Sequence, residues 1–234
     1  MPHREQLKEE LSYNDKGQLI EKRYTKDGKP EGEYTAYFAN GQVMTRLFFR
    51  NGLREGEAVT YYQDGRIREK GTFRRDRLVG DYVSYYENGQ VREEEHYNDE
   101  GLLDGPYRLY YRNGQVKEEE HFANGKFHGE YRSYYKNGQL KEQGSFRNDK
   151  RDGEYVAYYK NGRIREQALY SEGKLVGPFR CFDEKGNEIR PKDAGERNNG
   201  EGEEEDEDER RERDRMVDDL LKNLGDFSGG EKER

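Results

Sequence analysis

Aromatic and small residues alternate in short bursts along this chain, and the bursts recur every 24 or 25 residues. From Gly129 the sequence reads G-E-Y-R-S-Y-Y-K-N-G-Q-L-K-E-Q-G-S-F, and Gly153 begins the same pattern again. Gly32, Gly56, Gly80, Gly105, Gly129, Gly153 and Gly177 mark the copies. With each glycine as position 1, position 3 is an aromatic in every copy but one, where Ala58 stands. Position 6 is Tyr37, Tyr61, Tyr85, Tyr110, Tyr134, Tyr158 and Phe182, and position 7 is Phe38, Tyr62, Tyr86, Tyr111, Tyr135 and Tyr159. Rings at this density favour a strand. Strand side chains alternate, so positions 3, 5 and 7 are expected on one face and position 6 on the other.

Positions 9 and 10 are Asn-Gly or Asp-Gly, from Asn40-Gly41 to Asn161-Gly162. That dipeptide is a strong hairpin signal and predicts a type I′ turn, with positive φ at both residues. A second strand follows, with an aliphatic residue at position 12 (Val43, Ile67, Val91, Val116, Leu140, Ile164) and an aromatic one at position 18 (Phe49, Phe73, Tyr97, Phe122, Phe146, Tyr170). Six residues apart, these two sites are expected on the same face. Position 13 is usually basic and position 14 usually glutamate, as in Lys141-Glu142. Cross-strand ion pairs and Glu–Tyr hydrogen bonds are the expected use of that charge. Each copy is therefore one β-hairpin, with partial copies at both ends. A lone hairpin is marginal in water, so stability should come from neighbour-to-neighbour stacking. The fold class expected is all-β: an elongated single-layer antiparallel β-meander of stacked 24-residue hairpins.

Composition sharpens this picture. Of 234 residues only 29% are hydrophobic and 40% are charged, which excludes a thick dry core. Twenty tyrosines and ten phenylalanines oppose disorder, because each ring can bury a large area and tyrosine keeps a polar edge wet. The net charge of −8 lies entirely in residues 191–234, where 9 basic and 17 acidic residues stand. The remainder carries 34 of each sign, so it offers no basic footprint for nucleic acid. A neutral array with an acidic tail is also poorly suited to anionic lipid.

The pattern G-x-Y-x-x-Y-Y-x-N-G-(Q/R)-(V/I/L)-(K/R)-E, followed by an aromatic residue and a glycine-bounded turn, resembles the MORN repeat. It is most similar to the bacterial MORN variant, members of which are often labelled antitoxins of toxin–antitoxin systems. The likeness spans roughly residues 8–190. It implies an elongated single-layer sheet of stacked hairpins and a scaffold or protein-binding role, with phospholipid binding proposed for some members. Here Asn-Gly follows a Tyr-Tyr pair, whereas the eukaryotic repeat is richer in glycine.

The organisation expected along the chain is an N-terminal extension (1–7), the repeat array (8–190), a disordered acidic linker (191–215), a short amphipathic helix (216–225) and a disordered end (226–234). Residues 195–215 have no aromatic residue and include an unbroken acidic run from Glu203 to Glu209, a composition that does not fold alone. Met216, Val217, Leu220, Leu221 and Leu224 then fall on one helical face, with Gly225 as a stop. Ten residues are too few for a stable isolated helix, so docking on its own sheet and folding into a partner's groove both remain open.

No Ser-His-Asp order, phosphate loop or metal-ligand spacing occurs, so neither an enzyme nor a cofactor is expected. His96 and His121 share one repeat position and read as exposed imidazoles; Cys181, the one cysteine, reads as a small buried hydrophobe. The N-terminus lacks the apolar stretch of a signal peptide, and no run approaches the ~20 apolar residues of a membrane span; a cytoplasmic location is expected. The function expected is a non-enzymatic scaffold that binds a protein partner through its tyrosines and acidic tail. Tyr61, Tyr85, Tyr86, Tyr110, Tyr111, Tyr134, Tyr135 and Tyr158 are the candidate contacts, since tyrosine offers large area at low entropic cost. The alternatives are an antitoxin that neutralises a cognate toxin and a membrane-surface adaptor. Unpaired sheet edges leave homo-oligomerisation open.

Overall fold

The computed structural model describes residues 7–190. The chain divides into a unit of residues 1–188, which holds the repeats, and a unit of residues 189–234. The linker, the segment Met216, Val217, Leu220, Leu221 and Leu224, and the end all lie outside the described residues.

The repeats form one open antiparallel sheet in which each long strand pairs with the strands before and after it in sequence. The hairpin Gly129–Tyr134 with Leu140–Arg147 stands for the others. Gly129 faces Phe146, Tyr131 faces Gly144 and Ser133 faces Glu142. At the next step Tyr134 faces Leu140, so Lys141 has no opposite number. The same irregularity recurs between positions 5 and 6 of every full copy. A one-residue bulge turns two consecutive side chains to one side. Positions 13 and 14 therefore share the face of position 5, and position 12 faces the tyrosine at position 6. This corrects the expectation that positions 12 and 18 share a face: the bulge between them breaks the count of two.

The turns also differ from expectation. At Asn40-Gly41 only the glycine has positive φ, at 84°. Gly41 N–H donates to the Phe38 carbonyl at 2.9 Å and Phe38 N–H to the Gln42 carbonyl at 2.8 Å. That is a three-residue loop with a left-handed glycine closing it, not type I′. The type I′ signature sits in the returns between copies, where Asn51-Gly52, Arg75-Asp76, Asn124-Gly125 and Asn148-Asp149 have positive φ at both residues. One return is different. Asn98 to Leu102 closes by Gly101 N–H to Asn98 carbonyl (3.0 Å) and Asn98 N–H to Leu102 carbonyl (2.9 Å). This longer loop accounts for the single 25-residue interval.

The repeat glycine itself stands inside a strand. Lys126–Phe127 already pairs with Phe122 and Ala123 before Gly129 is reached. Between Phe127 and Arg132 the pairing slips by two residues, and Gly129 takes up the slip at φ 117°. The conformation favours glycine, and a Cβ there would lie a tight 3.2 Å from the His121 Cβ.

With no second layer, the sheet packs its rings edge to face along its own surface. Tyr34–Phe49, Tyr107–Phe122, Tyr131–Phe146 and Tyr155–Tyr170 pair positions 3 and 18 at 5.9–6.4 Å. Phe127 bridges consecutive copies, 4.5 Å from Phe122 and 5.4 Å from Phe146. Arg151 fills the corresponding place in the next copy, 4.6 Å over Tyr155 and 5.5 Å over Tyr170. The small residues at position 5, among them Ser84, Ser133, Ala157 and Cys181, are buried beneath these rings.

Candidate interaction surface

Two networks tie each copy to the next. The first lies on the ring-packed face. Tyr155 donates its hydroxyl to Glu142 of the preceding copy at 2.7 Å, and that carboxylate also accepts from Tyr131 (2.9 Å) and Ser133 (3.3 Å). Tyr82 donates to Glu69, Tyr107 to Glu93 and Tyr34 to Glu21 in the same way. Burial pushes the Glu69 and Glu142 carboxyls up. The hydroxyl and cation partners outweigh it, and both end below the ordinary carboxylate range. The tyrosines shift upward, through burial first and the adjacent carboxylate second. The one copy with threonine at position 14, Thr45, is followed by the one copy with alanine at position 3, Ala58, so acceptor and donor are missing together.

The second network is the tyrosine at position 7. Its hydroxyl donates to the position-6 carbonyl of the next copy: Tyr86 to Tyr110 (2.7 Å), Tyr111 to Tyr134 (2.8 Å), Tyr135 to Tyr158 (2.7 Å) and Tyr159 to Phe182 (2.7 Å). The turn asparagines add to it. Asn88 Nδ2 donates to the Arg112 carbonyl (2.8 Å) and Asn113 Nδ2 to the Lys136 carbonyl (3.1 Å), while each Oδ1 accepts from its own turn.

These networks sort the candidate residues. Tyr86, Tyr111 and Tyr135 are buried and hold repeats together, so they leave the accessible set. Lys141 lies 5.9 Å over the Tyr135 ring and Lys117 lies 5.8 Å over Tyr111. Tyr61, Tyr85, Tyr110, Tyr134 and Tyr158 are half-buried on the opposite face. There Tyr110 donates to Glu94 at 2.6 Å, Tyr134 donates to Glu119 at 2.8 Å, and Tyr158 accepts from Gln143 at 3.1 Å. Burial and the Glu94 carboxylate push the Tyr110 hydroxyl up to about 12, so it stays a donor. The five tyrosines thus recur at one repeat position on one face, and Tyr110, Tyr134 and Tyr158 are fixed at the hydroxyl.

Charged residues that sequence reasoning had not singled out flank this row. Position 4 is valine or threonine in four copies but arginine at Arg108, Arg132 and Arg180. Arg108 reaches Glu119 (3.4 Å) and Glu94 (3.9 Å), and Arg132 reaches Glu130 (2.6 Å). With Pro106 and His121 they line a shallow groove of about 280 Å³. The signal was the valine-to-arginine change at a strand position. His96 and His121 are exposed as expected, His96 lying 2.6 Å from Asp81, and Cys181 is buried. Among the described residues no group of three or more His, Cys, Asp or Glu is placed to hold a metal ion, and no helix is long and apolar enough to cross a membrane.

A family model described as MORN repeat variant matches residues 30–51, 54–75, 78–99, 103–124, 127–148 and 151–172, more than half of the chain. The chain belongs to the MORN repeat variant family. Each MORN match begins two residues before a repeat glycine. No curated protein matches the sequence. Among solved structures, the chain is similar to one titled as the crystal structure of TcdB2-TccC3-Cdc42, with 13% identity over 76% of this chain and 13% of that one, at a TM-score of 0.21. The crystal structure of TcdB2-TccC3 gives 12%, 76%, 14% and 0.22. A Photorhabdus luminescens Tc holotoxin pore with the TccC3-D651A mutation gives 14%, 74%, 13% and 0.21. The MORN chain thus spans 13–14% of the length of these solved chains, and a likeness at such TM-scores carries no argument.

Proposed function

We propose that this MORN repeat protein is a non-enzymatic scaffold that binds a protein partner along the row Tyr61, Tyr85, Tyr110, Tyr134 and Tyr158. The observation that carries the reading is the division of labour among tyrosines. Tyr86, Tyr111 and Tyr135 at position 7 are buried with their hydroxyls on the next copy, whereas those at position 6 stay half-buried on the opposite face. Tyr110 and Tyr134 are held at the hydroxyl by a neighbouring copy, so binding orders little that is free. Arg108, Arg132, Glu94 and Glu119 along the row suit a partner with polar and charged groups around an apolar centre. The net −8 segment 191–234 adds a second, electrostatic contact for a basic region of the same partner.

Affinity capture from cells with the wild type, with Tyr110→Ser/Tyr134→Ser and with residues 191–234 removed tests this reading. The double variant is expected to keep its circular dichroism spectrum and lose the partner. An unchanged set of captured proteins refutes the reading. A captured basic toxin, neutralised by the wild type, would give the scaffold an antitoxin role. Flotation with anionic liposomes and no captured protein would favour the membrane-surface alternative.

A further inference from the structure

The first strand of the sheet, Lys8–Tyr13, pairs on one side only among the described residues. Its outer edge offers backbone N–H and C=O groups to another strand. Leu7, Leu11 and Tyr13, on the face they share with Glu9, are 52%, 44% and 56% exposed. Thr35, the interior counterpart of Leu11 one repeat later, is 4% exposed. The valines at that position in other interior strands, Val59, Val83 and Val156, are half-buried, so a neighbouring strand covers apolar side chains there. At the other end of the repeats the last strand among the described residues, Glu188–Ile189, is only two residues long and offers little ladder to join. Head-to-tail addition is therefore disfavoured, and pairing of like edges is not.

We propose that two copies of this chain join through antiparallel pairing of their Lys8–Tyr13 edges, with Leu11 facing Leu11 on the two-fold axis. A two-fold axis normal to the sheet keeps each face continuous, so residues of equal parity must oppose. Centring on Leu11 sets Glu9 opposite Tyr13 and Glu10 opposite Ser12 of the other copy. Both pairs are ones the sheet already uses. Tyr110 donates to Glu94 at 2.6 Å across strands, and Ser133 directly faces Glu142 with its hydroxyl 3.3 Å from the carboxylate. Glu9 and Glu10 are already neutralised within their own copy, by Lys22 at 2.7 Å and Arg23 at 2.9 Å. Moving the axis to Glu9 or Glu10 would set like charges face to face, which disfavours those two registers.

The full chain should be followed by light scattering or sedimentation over ~1–200 µM, the range in which a contact of this small area dissociates. The mass is expected to rise from 27.8 kDa toward twice that value. Leu11→Lys and Tyr13→Lys should hold it at the monomer value with unchanged circular dichroism, since edge lysines oppose strand pairing. In a Cys181→Ser background, Leu11→Cys should oxidise to a covalent dimer several-fold faster than Leu7→Cys, which reads the register directly. A wild type that stays at 27.8 kDa throughout overturns the proposal, as does a dimer that survives both lysine variants. Dimerisation only after removal of residues 1–6 would mean that the chain covers its own edge, and overturns it equally.

Discussion

Replacing Glu142 by Thr, the residue that stands at the same position as Thr45, should loosen the joint between two repeats by an amount the geometry bounds. Glu142 accepts hydroxyls from Tyr131 at 2.9 Å, Ser133 at 3.3 Å and Tyr155 at 2.7 Å. A hydrogen bond to a charged group contributes about 1.5–3 kcal/mol when well buried. Here the site is half-buried in a single layer, so water recovers part of that loss. Two tyrosine bonds at the low end give about 2–3 kcal/mol for Glu142→Thr. Tyr155→Phe alone removes one bond and should cost about 1–1.5 kcal/mol. If the two act through one contact, Tyr155→Phe in the Glu142→Thr background should cost under ~0.5 kcal/mol, a coupling of about 1 kcal/mol. Urea denaturation followed by circular dichroism measures the global effect. Amide exchange in Leu140–Arg147 and Gly153–Tyr158 localises it, which matters because repeat arrays unfold in parts. Additive costs, or a Glu142→Thr cost below ~0.5 kcal/mol, would refute the claim that this carboxylate joins the repeats.

Three other perturbations test separate joints. Glu95 and Glu120 occupy position 16, where the other full copies have Leu47, Gly71, Gly144 and Ala168, and burial, followed by neighbouring groups including Glu93 for the first and Glu118 for the second, pushes both to about 7. A carboxyl raised from 4.5 to 7 takes up a proton on folding, so stability should fall as pH rises from about 4.5 to 7, by ~1–2 kcal/mol per group after screening; Glu95→Gln/Glu120→Gln should flatten the urea midpoint over that range, and a pH slope unchanged by the pair of substitutions would contradict this. Gly129→Ala, at φ 117° and 3.2 Å from His121, should cost roughly 1–3 kcal/mol by thermal denaturation, and a neutral result would mean the bulge is not fixed there. Tyr135→Phe should cost about 1 kcal/mol by losing the 2.7 Å bond to the Tyr158 carbonyl, and a cost near zero in urea would show that the hydroxyl is well solvated without it.

The sequence carried the architecture because the repeat restates each local signal several times. Ring positions, turn dipeptides and the glutamate partnered by the following tyrosine were all legible, and Tyr155–Glu142 is one such pair. What was not legible depends on backbone irregularity. The bulge at Lys141 leaves no residue-type signature, because lysine or arginine suits a bulge facing a ring as well as a regular exposed strand. That one extra residue sets position 12 opposite the tyrosine at position 6 and defeats a parity count. The Asn-Gly turn differed for a related reason: Asn-Gly fits a type I′ turn, but it also fits a loop in which only the glycine is left-handed and the asparagine reaches the next copy. Tyr134 and Tyr135 are adjacent and chemically identical, yet one stays half-buried on one face and the other is buried on the opposite face. Only the pairing between copies separates them.

The account stands most directly on the affinity of the captured partner for single serine replacements of Tyr61, Tyr85, Tyr110, Tyr134 and Tyr158, measured on chains whose circular dichroism is unchanged. It expects at least three consecutive replacements to weaken binding by about tenfold each, as ring anchors in one continuous contact do. Binding that is indifferent to all five, and lost only when residues 191–234 are removed, would contradict it.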